Sequence, residues 1–335
     1  MIIIHKLWFV FMSGIICLAA NAFANQTITQ TIALKQGWNA IYFTVKPDQA
    51  NPDILFEDTP VDQVLTFFPL HSPVQFIQDP DEVEWKKPGW HLWITKNRNE
   101  SVLNNLFEIM ANQAYIIFCT ADHTLTVSGV PALPNFEWQP DSFNLAGFHV
   151  DPMAPPTFAQ FFENSEAHCN YRIYTLNDNF WKRIDKPDTT AIVSGQAYWI
   201  YCMGGSNFQG PVELSLPGSN NNLDFMSAIF ELNFEIRNQS SDPISFSLET
   251  INNTADAGFV PLSLVTYSDA MNRQYESFIS YSPSNPIESG EKMTIRLAIN
   301  HKAIVSDEVN CLLKLTDDLG DVFYIPVRAE KLIVE

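Results

Sequence analysis

Basic side chains are the first shortage in this sequence: 19 Lys and Arg stand against 38 Asp and Glu, for a formal net charge of −19. A surface of that sign repels phosphate backbones and anionic lipid headgroups, which argues against nucleic acid as a partner. The short motifs that announce common chemistries are also missing. There is no GxGxxG, Walker loop, GxSxG, HExxH or CxxC, so no dinucleotide, phosphate-loop, nucleophile-elbow, zincin or dithiol signature is available. Only the first segment offers a long apolar run, and "LPGSN" at 216–220 lacks the threonine of an LPxTG sorting signal. Cysteine is sparse, with five residues, far below the density of a disulfide-built scaffold.

The segment "MIIIHKLWFVFMSGIICLAANAFA" has a short basic start at His5 and Lys6, an apolar stretch from Leu7 to Ala20, and a small-x-small end at Ala22, Phe23 and Ala24. This is the pattern of a secretory signal peptide over residues 1–24, cleaved before Asn25. The other reading is an N-terminal anchor, for which the stretch is short of the ~20 residues a span needs. Cys17 follows Ile16 rather than a small residue, which argues against a lipoprotein anchor. Cleavage removes Lys6, so the mature chain carries −20. The predicted address is secreted, extracellular or periplasmic, with no membrane span after cleavage.

What the sequence does contain is a repeat. "ANQAYIIFC" at 111–119 returns as "SGQAYWIYC" at 194–202, and "GWNAIYFTVKP" at 37–47 returns as "SFNLAGFHVDP" at 142–152. Asn39, Phe43, Val45 and Pro47 match Asn144, Phe148, Val150 and Pro152. Each copy continues with a proline-opened apolar patch, "NPDILF" or "PPTFAQFF", and a strand-like run, "VLTFF" or "RIYTL". Alternation along a strand places Tyr115, Ile117 and Cys119 on one face, and Tyr198, Ile200 and Cys202 on the same face of the second copy. The opposite faces are apolar too (Ile116 and Phe118; Trp199 and Tyr201), which predicts central strands covered on both sides. Copy 1 also carries a surplus, in which Leu103, Leu106, Phe107 and Met110 after Ser101 predict an amphipathic helix. Of the four mature cysteines, only Cys169 and Cys202 fall within one copy. They are the candidate disulfide, the alternative being free, buried apolar thiols.

The predicted domains are β-rich copy 1 at 25–133, copy 2 at 134–216, a turn-rich linker at 217–223, and a third unit at 224–335. In the third unit Phe230, Leu232, Phe234 and Ile236 alternate with polar residues, as do Met293 to Ile299, Val309 to Leu315 and Phe323 to Val327. About seven such one-sided strands, with "DDLGD" at 317–321 as a hairpin turn, describe an antiparallel sandwich. Through "FEIRNQSSDPISFSL" and "IESGEKMTIRLAI" this unit resembles the immunoglobulin-like domains appended to bacterial secreted proteins. It lacks the cysteine pair and core tryptophan of antibody domains, so the resemblance implies the sandwich alone. Residues 34–216 resemble an uncharacterised bacterial secreted family whose copies open on a "GWN" strand (Gly37, Trp38, Asn39) and close on "G-x-AYW" (Gly195, Ala197, Tyr198, Trp199). That likeness implies architecture and address, and no activity. The predicted fold class is therefore mainly β: two tandem related modules, each with a short helix, then an Ig-like β-sandwich.

Chemistry-bearing residues are scattered. His149 and Asp151 share a strand face, but copy 1 has Thr44 and Lys46 there and no third ligand is visible, so no metal or cofactor is assigned. The run Asp79, Asp81, Glu82, Glu84 and the turn "DDLGD" lack EF-hand spacing and read as solvated acidic loops. Trp85 and Trp90 crowd "VEWKKPGWHLWITK", and Trp181 sits in the corresponding "NDNFWKRID". These indoles are the candidate ligand contacts, able to stack on sugars or anchor an interface, with strand-core packing as the alternative. The function so predicted is a non-catalytic binding or structural protein of the exterior, with a glycan or another surface protein as partner. The alternative is an extracellular polysaccharide hydrolase using paired carboxylates between the two modules.

Overall fold

Period-2 apolar alternation dictates strand, and strand makes up 49% of the described residues against 7% helix. The computed structural model describes residues 26–68, 89–218, 221–253, 259–269 and 272–332. The signal segment, Trp85 and the run Asp79–Glu84 lie outside the described residues.

Copy 1 comprises β1 (Ile28–Leu34), β2 (Gly37–Phe43), β3 (Val45–Pro47), the helical turn α1 (Pro52–Leu55), β4 (Val61–Phe67), β5 (Trp90–Ile94), β6 (Gln113–Cys119) and β7 (His123–Pro131). They form two sheets, β1-β7-β3 and β2-β6-β4-β5. Leu34, Phe43, Val64, Tyr115, Ile117 and Val127 fill the space between. Copy 2 comprises β8 (Ser142–Gly147), α2 (Phe158–Phe161), β9 (Ile173–Asn177), β10 (Phe180–Arg183) and β11 (Ala197–Cys202). Its sheet order, β10-β9-β11-β8, repeats β5-β4-β6-β2 strand for strand. In place of a second sheet, copy 2 covers Tyr198 and Ile200 with the aromatic side chains of Phe158, Phe161, Phe162, Trp138 and Phe208. Both helical turns are capped, α1 by Asn51 and α2 by a Thr157–Gln160 capping box, which lets such short helices persist.

The amphipathic helix expected after Ser101 is not formed. A 3-10 turn at Asn99–Leu103 gives way to an extended segment. Asn104 and Asn105 use their side-chain amides as substitute backbone along the edge of β5: Ile94 N and Leu92 N donate to the two Oδ1 atoms at 2.8 and 2.6 Å. Asparagine competes with helix in this way. Leu106 and Ile109 are buried while Leu103, Phe107 and Met110 are exposed, so the apolar spacing served a ladder rather than a helix.

The sandwich holds β12 (Val212–Ser215), β13 (Leu223–Phe225), β14 (Glu231–Asn238), β15 (Phe246–Ile251), β16 (Leu262–Asp269), β17 (Asn272–Ser277), β18 (Ser280–Tyr281), β19 (Lys292–Ile299), β20 (Glu308–Asp317) and β21 (Val322–Glu330). Its sheets run β12-β14-β19-β16-β17 and β13-β21-β20-β15-β18. Phe225, Phe234, Leu248, Leu297, Leu313 and Ile325 lie in the core between them. β12, which lies within the residues expected to form copy 2, pairs with β14 of the sandwich. Among the described residues no helix is long and apolar enough to cross a membrane.

Candidate binding cleft between the two modules

The repeated QAY segment is a packing device, and its side chains make matching contacts in the two copies. Gln113 Nε2 donates to Thr66 Oγ1 at 2.6 Å, and Gln196 Nε2 donates to Thr175 Oγ1 at 2.8 Å, each reaching the neighbouring strand. Ala114 and Ala197 meet Ala40 and Tyr42 where the two modules touch. Tyr115 and Tyr198 point into their own cores and accept the backbone N–H five residues earlier, from Met110 at 2.8 Å and Val193 at 3.0 Å. Burial pushes both phenols well above the ordinary tyrosine range. The residue before the segment takes a positive φ in both copies, 54° at Asn112 and 78° at Gly195, which is why asparagine and glycine alternate there. Asn39 and Asn144 are equally matched, their Oδ1 atoms accepting Lys35 N and Gln139 N at 2.8 and 2.7 Å.

The opposite faces of the paired sheets, carrying Ile116 and Trp199, pack against each other and form a shared apolar layer with Leu65, Leu92 and Phe143. The contact is close enough that a Cβ on Gly147 would collide with Tyr42. Tyr42 N also donates to Gly195 O at 2.8 Å, tying the edge of β2 to the start of β11.

Where this layer reaches solvent it opens into a cleft of about 500 Å³. Leu65, Ile94, Ile116 and Leu176 are among its apolar walls, and the half-buried indoles of Trp38 and Trp181 contribute one from each module. The rim is polar: Gln63, Arg98, Glu100 and Asn179. Arg98 Nη1 bonds Asp62 at 2.7 Å and its Nη2 bonds Glu100 at 3.3 Å. The guanidinium holds the Glu100 carboxyl below the usual range. Asn179, in the tight β9–β10 turn, accepts Trp38 N at 2.6 Å and so locks the turn of copy 2 onto the opening strand of copy 1. A second hollow, lined by Gln36, Phe118 and Thr120, shares Trp38 and Asn179 with the first and continues the groove.

Of the tryptophans singled out from sequence, Trp181 lines the cleft. Trp90 is buried at 5% exposure, with its ring 5.4 Å from Phe67 and 6.2 Å from Trp199. It occupies the position equivalent to Trp181, since Trp90 pairs with Phe67 of β4 as Trp181 pairs with Leu176 of β9. Copy 1 thus uses this indole as core, whereas copy 2 leaves it half open. Sequence reasoning missed Trp38, Gln63, Arg98 and Asn179. Only Trp38 carried a signal, as the variable middle of the "GWN" strand.

The Cys169–Cys202 disulfide is not formed. All four described cysteines are free, Cys169 exposed and the others buried. Cys202 donates its thiol to Gly204 O at 3.2 Å. His149 is stacked on Tyr324 with ring centroids 5.2 Å apart, and burial lowers its pKa to about 4. Among the described residues no group of three or more His, Cys, Asp and Glu gathers as metal ligands would. The turn expected to be a solvated acidic loop instead buries Asp317 and Asp321, because it docks on copy 2. Asp151 N donates to Gly320 O at 2.7 Å and Val322 N to His149 O at 3.1 Å.

No family model matches the chain, and no curated protein matches it. Solved structures similar to part of it include a PapD-like domain of human CEP192 at 9% identity, covering 37% of this chain and 87% of that one, with a TM-score of 0.23. Another is the YadV chaperone, at 13% identity, 36% and 52% coverage and a TM-score of 0.24. A beta-glucosidase from Listeria innocua is similar at 16% identity over 40% of this chain and 18% of that chain, with a TM-score of 0.17. Likenesses this weak fix neither ligand nor activity.

Proposed function

We propose that this protein is a non-catalytic binding component of the bacterial exterior, exported by its N-terminal segment, and that it holds a glycan in the cleft between the two modules. The observation that carries the reading is the pairing of two half-buried indoles, Trp38 and Trp181, with a rim of hydrogen-bonding side chains around an apolar floor. Indole faces stack on the C–H faces of pyranose rings while amides and a guanidinium satisfy the hydroxyls, the division of labour found in concave ligand sites. The hydrolase reading is less well supported. A general acid needs a carboxyl held protonated near neutrality, whereas Glu100 on the rim is pulled the other way by Arg98. Membership of the tandem GWN family is part of the same proposal.

A glycan array probed with the mature chain and with Trp181→Ala tests the reading. The mature chain is expected to retain a defined set of glycans, and Trp181→Ala to lose them by about 10- to 100-fold, the loss of one large aromatic contact. Equal retention by both proteins, or release of shortened product from the retained glycans, would refute it.

A further inference from the structure

Resting on the glycan reading of the same cleft, we infer that its ligand is an uncharged polysaccharide chain and that acidic glycans are excluded. Among the described residues lining the cleft, Arg98 is the one cation, and it is already committed. Asp62 holds one end of the guanidinium at 2.7 Å, and Glu100 accepts from Nε at 3.4 Å and from Nη2 at 3.3 Å. Two carboxylates around one guanidinium make that cluster net negative at the edge of the cleft, inside a chain whose formal charge is −19. A uronate or sulfate approaching the indoles meets repulsion without a free positive partner, and capturing Arg98 would leave Asp62 or Glu100 unpaired. A neutral ring meets no such cost. It can stack on Trp181 and Trp38 and take hydrogen bonds from the Asn179 amide, whose Oδ1 is occupied by Trp38 N, and from Gln63. The ligand is a chain rather than a single sugar because the groove continues past Trp38 and Asn179 into the second hollow.

Calorimetric titration of the mature chain tests this, with hexamers of three kinds: β-linked glucose, N-acetylglucosamine, and the fully anionic galacturonate. At least one neutral hexamer is expected to bind at least 10-fold more tightly than the galacturonate hexamer, and six sugars more tightly than two. Glu100→Gln, which removes one of the two carboxylates from Arg98, is expected to narrow the preference for neutral over galacturonate hexamers about 5- to 10-fold. Tighter binding of galacturonate by the unaltered protein, weakened by Trp181→Ala, would overturn the inference and leave the cleft reading standing. If no hexamer binds, or binding ignores Trp181→Ala, both fall. Thermal unfolding of each variant in parallel separates lost contacts from lost folding.

Discussion

The joint between copy 2 and the sandwich should weaken as the solution becomes alkaline, because two carboxyl groups are buried in it. Asp317 and Asp321 are 6% and 4% exposed. Asp317 Oδ1 accepts Asp321 N at 2.9 Å, but the Oδ2 atom of each has no partner among the described residues. Burial pushes the Asp317 carboxyl up to about 7, and burial together with the charge of Asp317 pushes Asp321 up as well. The folded joint therefore holds protons that the unfolded chain gives up near pH 4. The stability this represents is fully present below pH 4 and is lost as pH rises through about 7. At about 1.4 kcal/mol per pH unit, the shift of Asp317 from about 4 to about 7 alone amounts to about 4 kcal/mol. Other charges lie nearby: Asp318 beside Asp317, and Lys314 of β20 beside His149 of copy 2, whose carbonyl accepts Val322 N. His149 acts in the opposite sense. Its pKa is lowered by burial to about 4, so its contribution is lost as pH falls below about 6.5. Comparison with Asp321→Asn removes that opposing trend, since both proteins keep His149. The assay is urea unfolding followed by tryptophan fluorescence between pH 4.5 and 8.5. The stability of Asp321→Asn relative to the parent should climb across that range. A difference that stays flat would mean the carboxyls are ionised throughout, and the reasoning from burial would be wrong.

Tyr115→Phe and Tyr198→Phe should each cost about 1 kcal/mol in urea unfolding, by removing the hydroxyl that accepts the N–H of Met110 or Val193; unequal costs would show that the two copies do not use the tyrosine alike. Gly147→Ala should destabilise by about 1 to 3 kcal/mol, since the added carbon meets Tyr42 across the module contact. A thiol reagent should find one fast site, Cys169, in the native protein and four thiols in urea, because burial pushes the Cys119, Cys202 and Cys311 thiols up to about 11, 11 and 12; only two thiols in urea would restore a disulfide.

The β-class of the fold was legible because alternation constrains every strand it passes through. Tyr115 and Tyr198 are both buried where parity placed them, and the DDLGD hairpin joins β20 to β21 as its turn residues dictate. What could not be read was what covers an element once it forms. Residues 103–110 kept helical spacing while their asparagines bonded β5. The acidic turn looked solvated because nothing within "DDLGD" announces the surface of copy 2 that buries it. The cleft itself was only half legible. Trp181 was visible as an aromatic, but Arg98 and Asn179 are ordinary surface residues until two sheets from separate copies bring them beside Trp38.

The same docking explains why the second copy lacks one of the first copy's sheets. In copy 1, β3 is paired by β7, with Val45 opposite Pro131 and Lys46 opposite Val130. In copy 2 the matching Val150 is bridged by Asp321 of the sandwich hairpin. The edge that copy 1 closes for itself is closed in copy 2 by the third unit. An open strand edge over a core as aromatic as that of Phe158, Phe161 and Phe162 would invite pairing with other chains. The sandwich thus completes the second module rather than merely following it.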